Sequence, residues 1–340
     1  MSWRRFVLFG SLLLAGACAP APPKPSPAWT PPRFAPGFEA GANLHSTPHL
    51  NWLRAMGAHW VRLNLDWDAI QPRRGVWDFE QADASIAAAE AAGLKVYACL
   101  LYSPPWASAN GKGNGVPTAE AWNAYVTAVA RRYGNRVQAY GIWNEPNLDD
   151  YWAGNARDYT QRLLIPASAI IHREAPGVIV AGPDLAHLAT GTIPVPQFFR
   201  EMKQYGGIEA LDVVSHHLYG QEDFEAKLIG AKFLGITYRP GLKQMLKAAG
   251  LGDKELWLTE TGVDAKALGE ARQAELLDAQ WRVLATQPWV KKAFVYAWAD
   301  DPSQDQRWGL IDAQGNAKPA FEAMWRLLLV PSILDQNLRL

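Results

Sequence analysis

The chain has 340 residues, enough for one large α/β barrel or for two ordinary domains. It is 49% hydrophobic and 19% charged, the balance of a globular protein with a sizeable core. Lysine plus arginine and aspartate plus glutamate both number 33, so no net field draws the chain to nucleic acid or to an anionic membrane surface, which argues against a nucleic-acid partner.

Residues 1–18 read as a targeting segment, outside the fold. Arg4 and Arg5 precede an apolar run over 6–15, too short for a span of about 20 residues. Ala15, Gly16 and Ala17 then lead to Cys18. The segment resembles a bacterial lipoprotein signal, which implies lipidation of Cys18, although Ala15 stands where leucine is usual. Ordinary cleavage near Ala17 or Ala19 is the alternative, and either route exports the chain to the periplasm or envelope. The membrane is then reached only through the lipid. A lipidated Cys18 leaves Cys99 without a disulfide partner, as an inert thiol in an apolar strand. Residues 19–36 are dominated by proline and alanine and predict an extended tether. One domain is expected over 37–330, followed by a poorly ordered tail at 331–340.

Within that domain a βα alternation recurs, the pattern of a parallel sheet with crossover helices. Strands are predicted at 38–44, 60–65, 95–101, 139–143, 178–182, 213–217, 255–259 and 292–298, mostly as short apolar runs. Helices are predicted between them, among others at 83–92, 119–133, 163–174 and 270–286. Thr118 after Pro117 is placed to cap a helix, and Gly93 and Gly134 sit where a terminal glycine is favoured. Eight βα units in this length predict a (β/α)8 TIM barrel as a single catalytic domain.

Two segments carry chemistry. The fourth strand ends in Trp143-Asn144-Glu145-Pro146-Asn147, and the seventh in Leu258-Thr259-Glu260-Thr261-Gly262. Both glutamates fall at C-terminal strand ends, where barrel enzymes build their sites. A carboxylate directly after a buried strand is costly unless it is paired or used. Two such groups facing each other across a barrel mouth suit cleavage of a glycosidic bond with retention, which needs carboxyls about 5–5.5 Å apart. The 16 tryptophans fit the same picture, because indole faces stack on sugar rings, but they also fill cores; about half are expected in a cleft.

With Asn144-Glu145-Pro146 on strand four and Glu260 on strand seven, the chain resembles clan A of the glycoside hydrolases, with family 39 closest. The resemblance extends from about residue 37 to 325. It implies a retaining hydrolase acting on an oligosaccharide or polysaccharide, with Glu145 as acid/base and Glu260 as nucleophile. It also implies that Arg62, in strand two, bonds Glu260, that Asn144 meets the sugar 2-hydroxyl, and that Trp298 lies under the sugar. Alternation on strand six turns His217 and Tyr219 inward and His216 outward against a helix. Trp106, Asn43 and His45 are further candidates for sugar contact. The Gly111–Gly115 loop reads as a flexible cleft edge, and the segment 67–79 as architectural. No metal is assigned, since His45 and His49 lack a third ligand, and no organic cofactor is needed. The alternatives are a sugar-binding envelope lipoprotein without catalysis, an envelope assembly protein whose barrel only docks partners, and a transglycosylase using the same carboxylate pair.

Overall fold

The computed structural model describes residues 30, 32–187, 193–234 and 236–337, except for the side chains of residues 233 and 329–337. Eight parallel strands close into a barrel: β1 (Glu39–Asn43), β2 (Trp60–Asp66), β3 (Lys95–Leu101), β4 (Ala139–Ile142), β5 (Ile179–Ala186), β6 (Val213–His217), β9 (Leu256–Thr261) and β10 (Val290–Val295). The numbering leaves room for β7 (Ala231–Phe233) and β8 (Ile236–Arg239), an antiparallel hairpin that the sequence pattern did not reveal. Around the barrel the order is β1-β10-β9-β6-β5-β4-β3-β2, and helices occupy the outside.

Two apolar layers hold this arrangement. Inside the barrel Trp60, Tyr97, Cys99, Trp257 and Phe294 fill the lumen, so it is a packed core. Gly41 and Gly141 make this possible: a Cβ on Gly141 would come within 2.3 Å of the Tyr97 hydroxyl, and one on Gly41 would strike the Phe294 ring. The outer layer joins strands to helices through large side chains such as Trp67, Trp122 and Trp143. Nine of the tryptophans are buried, so the tryptophan count mostly reflects packing rather than a cleft.

Helix termini follow local chemistry. The Thr118 hydroxyl accepts from the Ala121 N–H and caps Ala119–Tyr133, and Gly134 ends that helix at φ 44°. The predicted helix at 163–174 begins earlier, as a π-helical turn over Tyr159–Leu164 that continues into Ile165–Glu174.

Both ends of the domain differ from expectation. The expected tether covers residues 19–36, of which 19–29 and 31 lie outside the described residues, as do the targeting segment and Cys18. Its far end is docked rather than extended: Phe34 stacks on Phe38 at 4.5 Å and meets Trp281 edge-on, and the Thr30 carbonyl accepts from Arg282. At the other end the last helix, Pro319–Asn337, runs through most of the segment expected to be a loose tail. Among the described residues no helix is long and apolar enough to cross a membrane.

Candidate active site

Strand register builds the site. Asn43 on β1 lies beside Arg62 on β2, and Arg62 beside Tyr97 on β3, so three polar side chains share one level near the barrel top. On the opposite wall His217 of β6 pairs with Glu260 of β9. The remaining corner comes from β5, where the ladder to β6 shifts between Pro183 and Leu185. The extra residue is Asp184, with φ 52°, and this bulge turns its carboxylate into the barrel.

Arg62 is the hub of the cluster and is almost fully buried. Its Nη1 donates to Glu260 Oε1 at 2.7 Å and to Asn43 Oδ1 at 2.9 Å. Its Nη2 donates to Asn144 Oδ1 at 2.8 Å and to Asp184 Oδ2 at 3.4 Å. A buried guanidinium needs such anionic partners, and the planar fork fixes their positions. Glu260 gains a second donor in the Tyr219 hydroxyl, 2.6 Å from Oε2. Both of its oxygens therefore accept a hydrogen bond from the protein.

Glu145 stands across the cleft in a different setting. Trp143 and Glu145 both have positive φ, 68° and 47°, a strained conformation for residues with side chains. The turn is held by the Glu145 N–H donating to the Asp184 carbonyl at 3.1 Å, and by Asn147, which exchanges two bonds of 3.0 Å with the Ala186 backbone. Glu145 Oε1 lies 2.8 Å from His217 Nδ1. One oxygen of each glutamate and one nitrogen of His217 all lie within 4.8 Å of one another.

Asp184 also accepts from the Tyr97 hydroxyl at 2.8 Å and from the Thr259 hydroxyl. Burial works against its charge, but Arg62, His217 and the Ser215 and Thr259 hydroxyls outweigh that and hold the carboxyl below its ordinary range. Neighbouring histidines on β6 are driven opposite ways. Burial, with His187 beside it, keeps His216 neutral. Burial also disfavours the charged form of His217, yet Glu260, Glu145 and Asp184 together raise it above the ordinary value. As the alternation predicted, His216 faces outward, bonding His187 at 3.0 Å and packing on Phe199 of the helix Val195–Gln204.

The donor spacing of Glu145, His217 and Glu260 is one that a metal could bridge. Every one of those groups already has an internal partner: Glu145 and His217 bond each other, while Glu260 takes Arg62 and Tyr219.

Of the predicted site residues, the structure brings together Glu145, Glu260, Arg62, Asn144, His217 and Tyr219. Four others have different roles. Asn43 is buried, and its amide donates to the Thr259 carbonyl while its oxygen holds Arg62. Trp298 is fully buried, with its indole N–H on the Pro48 carbonyl and its ring against Phe321, because β10 ends at Val295 rather than at residue 298. Trp106 is half-buried in the outer packing beside Trp67, tied to the Gln71 carbonyl and covered by Arg74. His45 is exposed at the mouth, edge-on to Tyr296. The aromatic wall is formed instead by Tyr219, Tyr296 and Trp308, whose ring centroids lie 5.3–6.2 Å apart. The Gly111–Gly115 loop is cross-linked, with the Asn114 amide on the Asp149 carbonyl and the Ser103 hydroxyl on the Gly115 carbonyl.

The model of glycosyl hydrolase family 10 matches residues 54–164, about a third of the chain. No curated protein matches the sequence. Among solved structures, a family 39 glycoside hydrolase from the gut symbiont Bacteroides cellulosilyticus WH2 superposes with a TM-score of 0.66 at 20% identity, over 86% of this chain and 64% of that one. This chain thus spans less than two thirds of that relative. A family 39 β-xylosidase from Caulobacter crescentus gives 0.62 at 20% identity, over 87% and 72% of the two chains. A family 10 endoxylanase from a sugarcane soil metagenome gives 0.57 at 14% identity, over 86% and 97%. The sequence match thus runs to family 10 and the fold likeness mostly to family 39, and both are barrels of one clan. The chain has the (β/α)8 barrel of the clan A glycoside hydrolases.

Proposed function

We propose that this chain is a retaining glycoside hydrolase that cleaves an oligosaccharide or polysaccharide through a covalent glycosyl-enzyme. The observation that carries this is the pairing of Glu145 and Glu260, with oxygens within 4.8 Å across the mouth and different hydrogen-bond partners. That spacing suits direct attack; an inverting enzyme needs about 6.5–9.5 Å to seat a water between its carboxyls.

In the first step Glu260, oriented by its bonds from Arg62 and Tyr219, attacks the anomeric carbon as Glu145 gives its proton to the departing oxygen. In the second, Glu145 takes a proton from water, which displaces Glu260 with a second inversion. Arg62 holds the Asn144 oxygen, which leaves the amide nitrogen for a sugar hydroxyl. Tyr296 and Trp308 offer partly exposed faces for the ring. The lipoprotein-like leader, with Cys18 as its lipid site, supports action outside the cytoplasm on an envelope or secreted polysaccharide.

The test is to incubate the protein and a Glu260→Gln variant with xylans, β-glucans, mannans and uronic-acid polymers, and to follow reducing ends. NMR of the first-formed anomer then reads the stereochemistry. Cleavage with retention, abolished in the variant, is expected. Inversion, or equal cleavage by both proteins, would overturn the assignment.

A further inference from the structure

His217 is fully buried among groups from five strands or their ends: Glu145 after β4, Glu260 on β9, Asp184 on β5, and Arg62 and Tyr97 on β2 and β3. His216 and Tyr219 flank it on its own segment. Its Nδ1 is 2.8 Å from Glu145 and 3.4 Å from Glu260. Its Nε2 has no hydrogen-bond partner and is buried, with Asp184 Oδ1 3.9 Å away. A bare nitrogen lone pair facing a carboxylate at that distance is repelled, whereas an N–H is attracted. Glu260 makes the same demand of Nδ1 at 3.4 Å, which a proton shared with Glu145 on that side meets, so Asp184 is the group that keeps a proton on Nε2.

We propose that Asp184 is a positioning residue for the acid/base: it keeps a proton on His217 Nε2, which leaves Nδ1 to share a single proton with Glu145. This rests on Glu145 being the acid/base. Two arrangements then exchange. Glu145 is protonated and donates to a neutral Nδ1, or the proton sits on Nδ1 and the imidazolium donates to the Glu145 carboxylate. Nε2–H is common to both, so no ring rotation or second proton is needed. With the opposite tautomer, Nδ1–H would donate to Glu145 Oε1, and the ring could take no proton from Glu145 on that side. The left-handed bulge that puts Asp184 here is a backbone cost, which this role accounts for.

The test needs no substrate, so it stands apart from whether the chain cleaves sugars. Histidine-15N-labelled protein is titrated from pH 5 to 9 by long-range 1H–15N NMR, with Asp184→Asn and Tyr97→Phe alongside and His217→Gln to assign the signal. In the wild type, Nε2 is expected to stay protonated throughout while Nδ1 titrates. Asp184→Asn is expected to lower the His217 midpoint and bring up the Nδ1–H tautomer. Tyr97→Phe removes a bond to Asp184 but not its charge, and is expected to keep the wild-type pattern. A wild-type His217 whose Nε2 loses its proton, or a folded Asp184→Asn with unchanged signals, would overturn the proposal. If Asp184→Asn does not fold, the wild-type spectrum alone decides.

Discussion

The two ends of the barrel both bury ion pairs, and they do so to different effect. At the N-terminal end Glu39 meets Lys292 and Lys95, and the Trp60 indole donates to it at 2.7 Å. Lys292 is sandwiched against the rings of Trp60 and Trp257, at 4.8 and 4.7 Å. One acid there has three donors. At the C-terminal end the ratio reverses: Glu145, Asp184 and Glu260 share the buried Arg62 and His217. Tyr102, Trp143, Glu145 and Asp184, all in or just after the C-terminal ends of strands, carry positive φ without being glycine. The lower end is saturated and relaxed, as a structural plug should be. The upper end is rich in acid and strained, a burden a fold carries only where chemistry uses it.

The comparison breaks if substitutions at the two ends have similar effects. The largest difference is expected at Glu260. Glu260→Gln should lower turnover by about 10⁴-fold or more, since the proposed nucleophile is removed, and stability should fall by about 1–3 kcal/mol, because the one amide oxygen can accept from Arg62 or from Tyr219 but not from both. Reducing-end assays with parallel urea unfolding measure both numbers. Next comes Arg62→Met, which leaves Asp184 buried and without its cation; a loss of about 3–5 kcal/mol is expected, with activity abolished. A stable, active Arg62→Met would mean that the network is decoration.

Much of this architecture was legible in the sequence, and each miss has its own physical cause. Buried parallel strands are apolar runs, and all eight were found; Glu145 and Glu260 stood out because an acid at the end of such a run is expensive. Asp184 was missed because a bulge broke the alternation and the strand was stopped at Gly182, four residues before its end at Ala186. A Gly-Pro-Asp break inside an apolar run was the available signal. Trp298 was misassigned for the opposite reason: apolar residues run on past the true strand end at Val295, which moved the wall from Tyr296 to Trp298. Asn43 was offered for sugar contact or for structure, and it holds Arg62 through its side-chain oxygen, a role that sequence pattern does not distinguish from sugar contact. The hairpin β7–β8 carries exposed Leu234, Ile236 and Tyr238, so no buried face gave it a signature.

At the lower end, Glu39 gives a smaller and purely structural effect. Burial alone would raise its carboxyl, but bonds to Lys292, Lys95 and Trp60 bring it down to about 2. A depressed folded value contributes stability above the ordinary 4.5 and loses it as pH falls toward 2. After allowance for solvent screening the contribution is about 2 kcal/mol. Glu39→Gln should therefore lower stability by about that much at pH 7, flatten its pH dependence between 4.5 and 2, and leave turnover unchanged. Urea midpoints recorded across that window decide it.

The smallest effects separate two tryptophans that composition alone made equivalent. Trp298 is sealed between the barrel and the last helix, so Trp298→Phe removes one indole bond to Pro48 and some packing, about 1–2 kcal/mol, with no change in KM. Trp308 is partly open beside Tyr296 and Tyr219, so Trp308→Ala should leave stability nearly intact and raise KM by about tenfold, the loss of one stacking face. Steady-state kinetics and thermal unfolding of the two variants read the split. The reverse pattern, with KM moving in Trp298→Phe, would return the sugar platform to the residue that the sequence first suggested and place the upper aromatic wall in the packing.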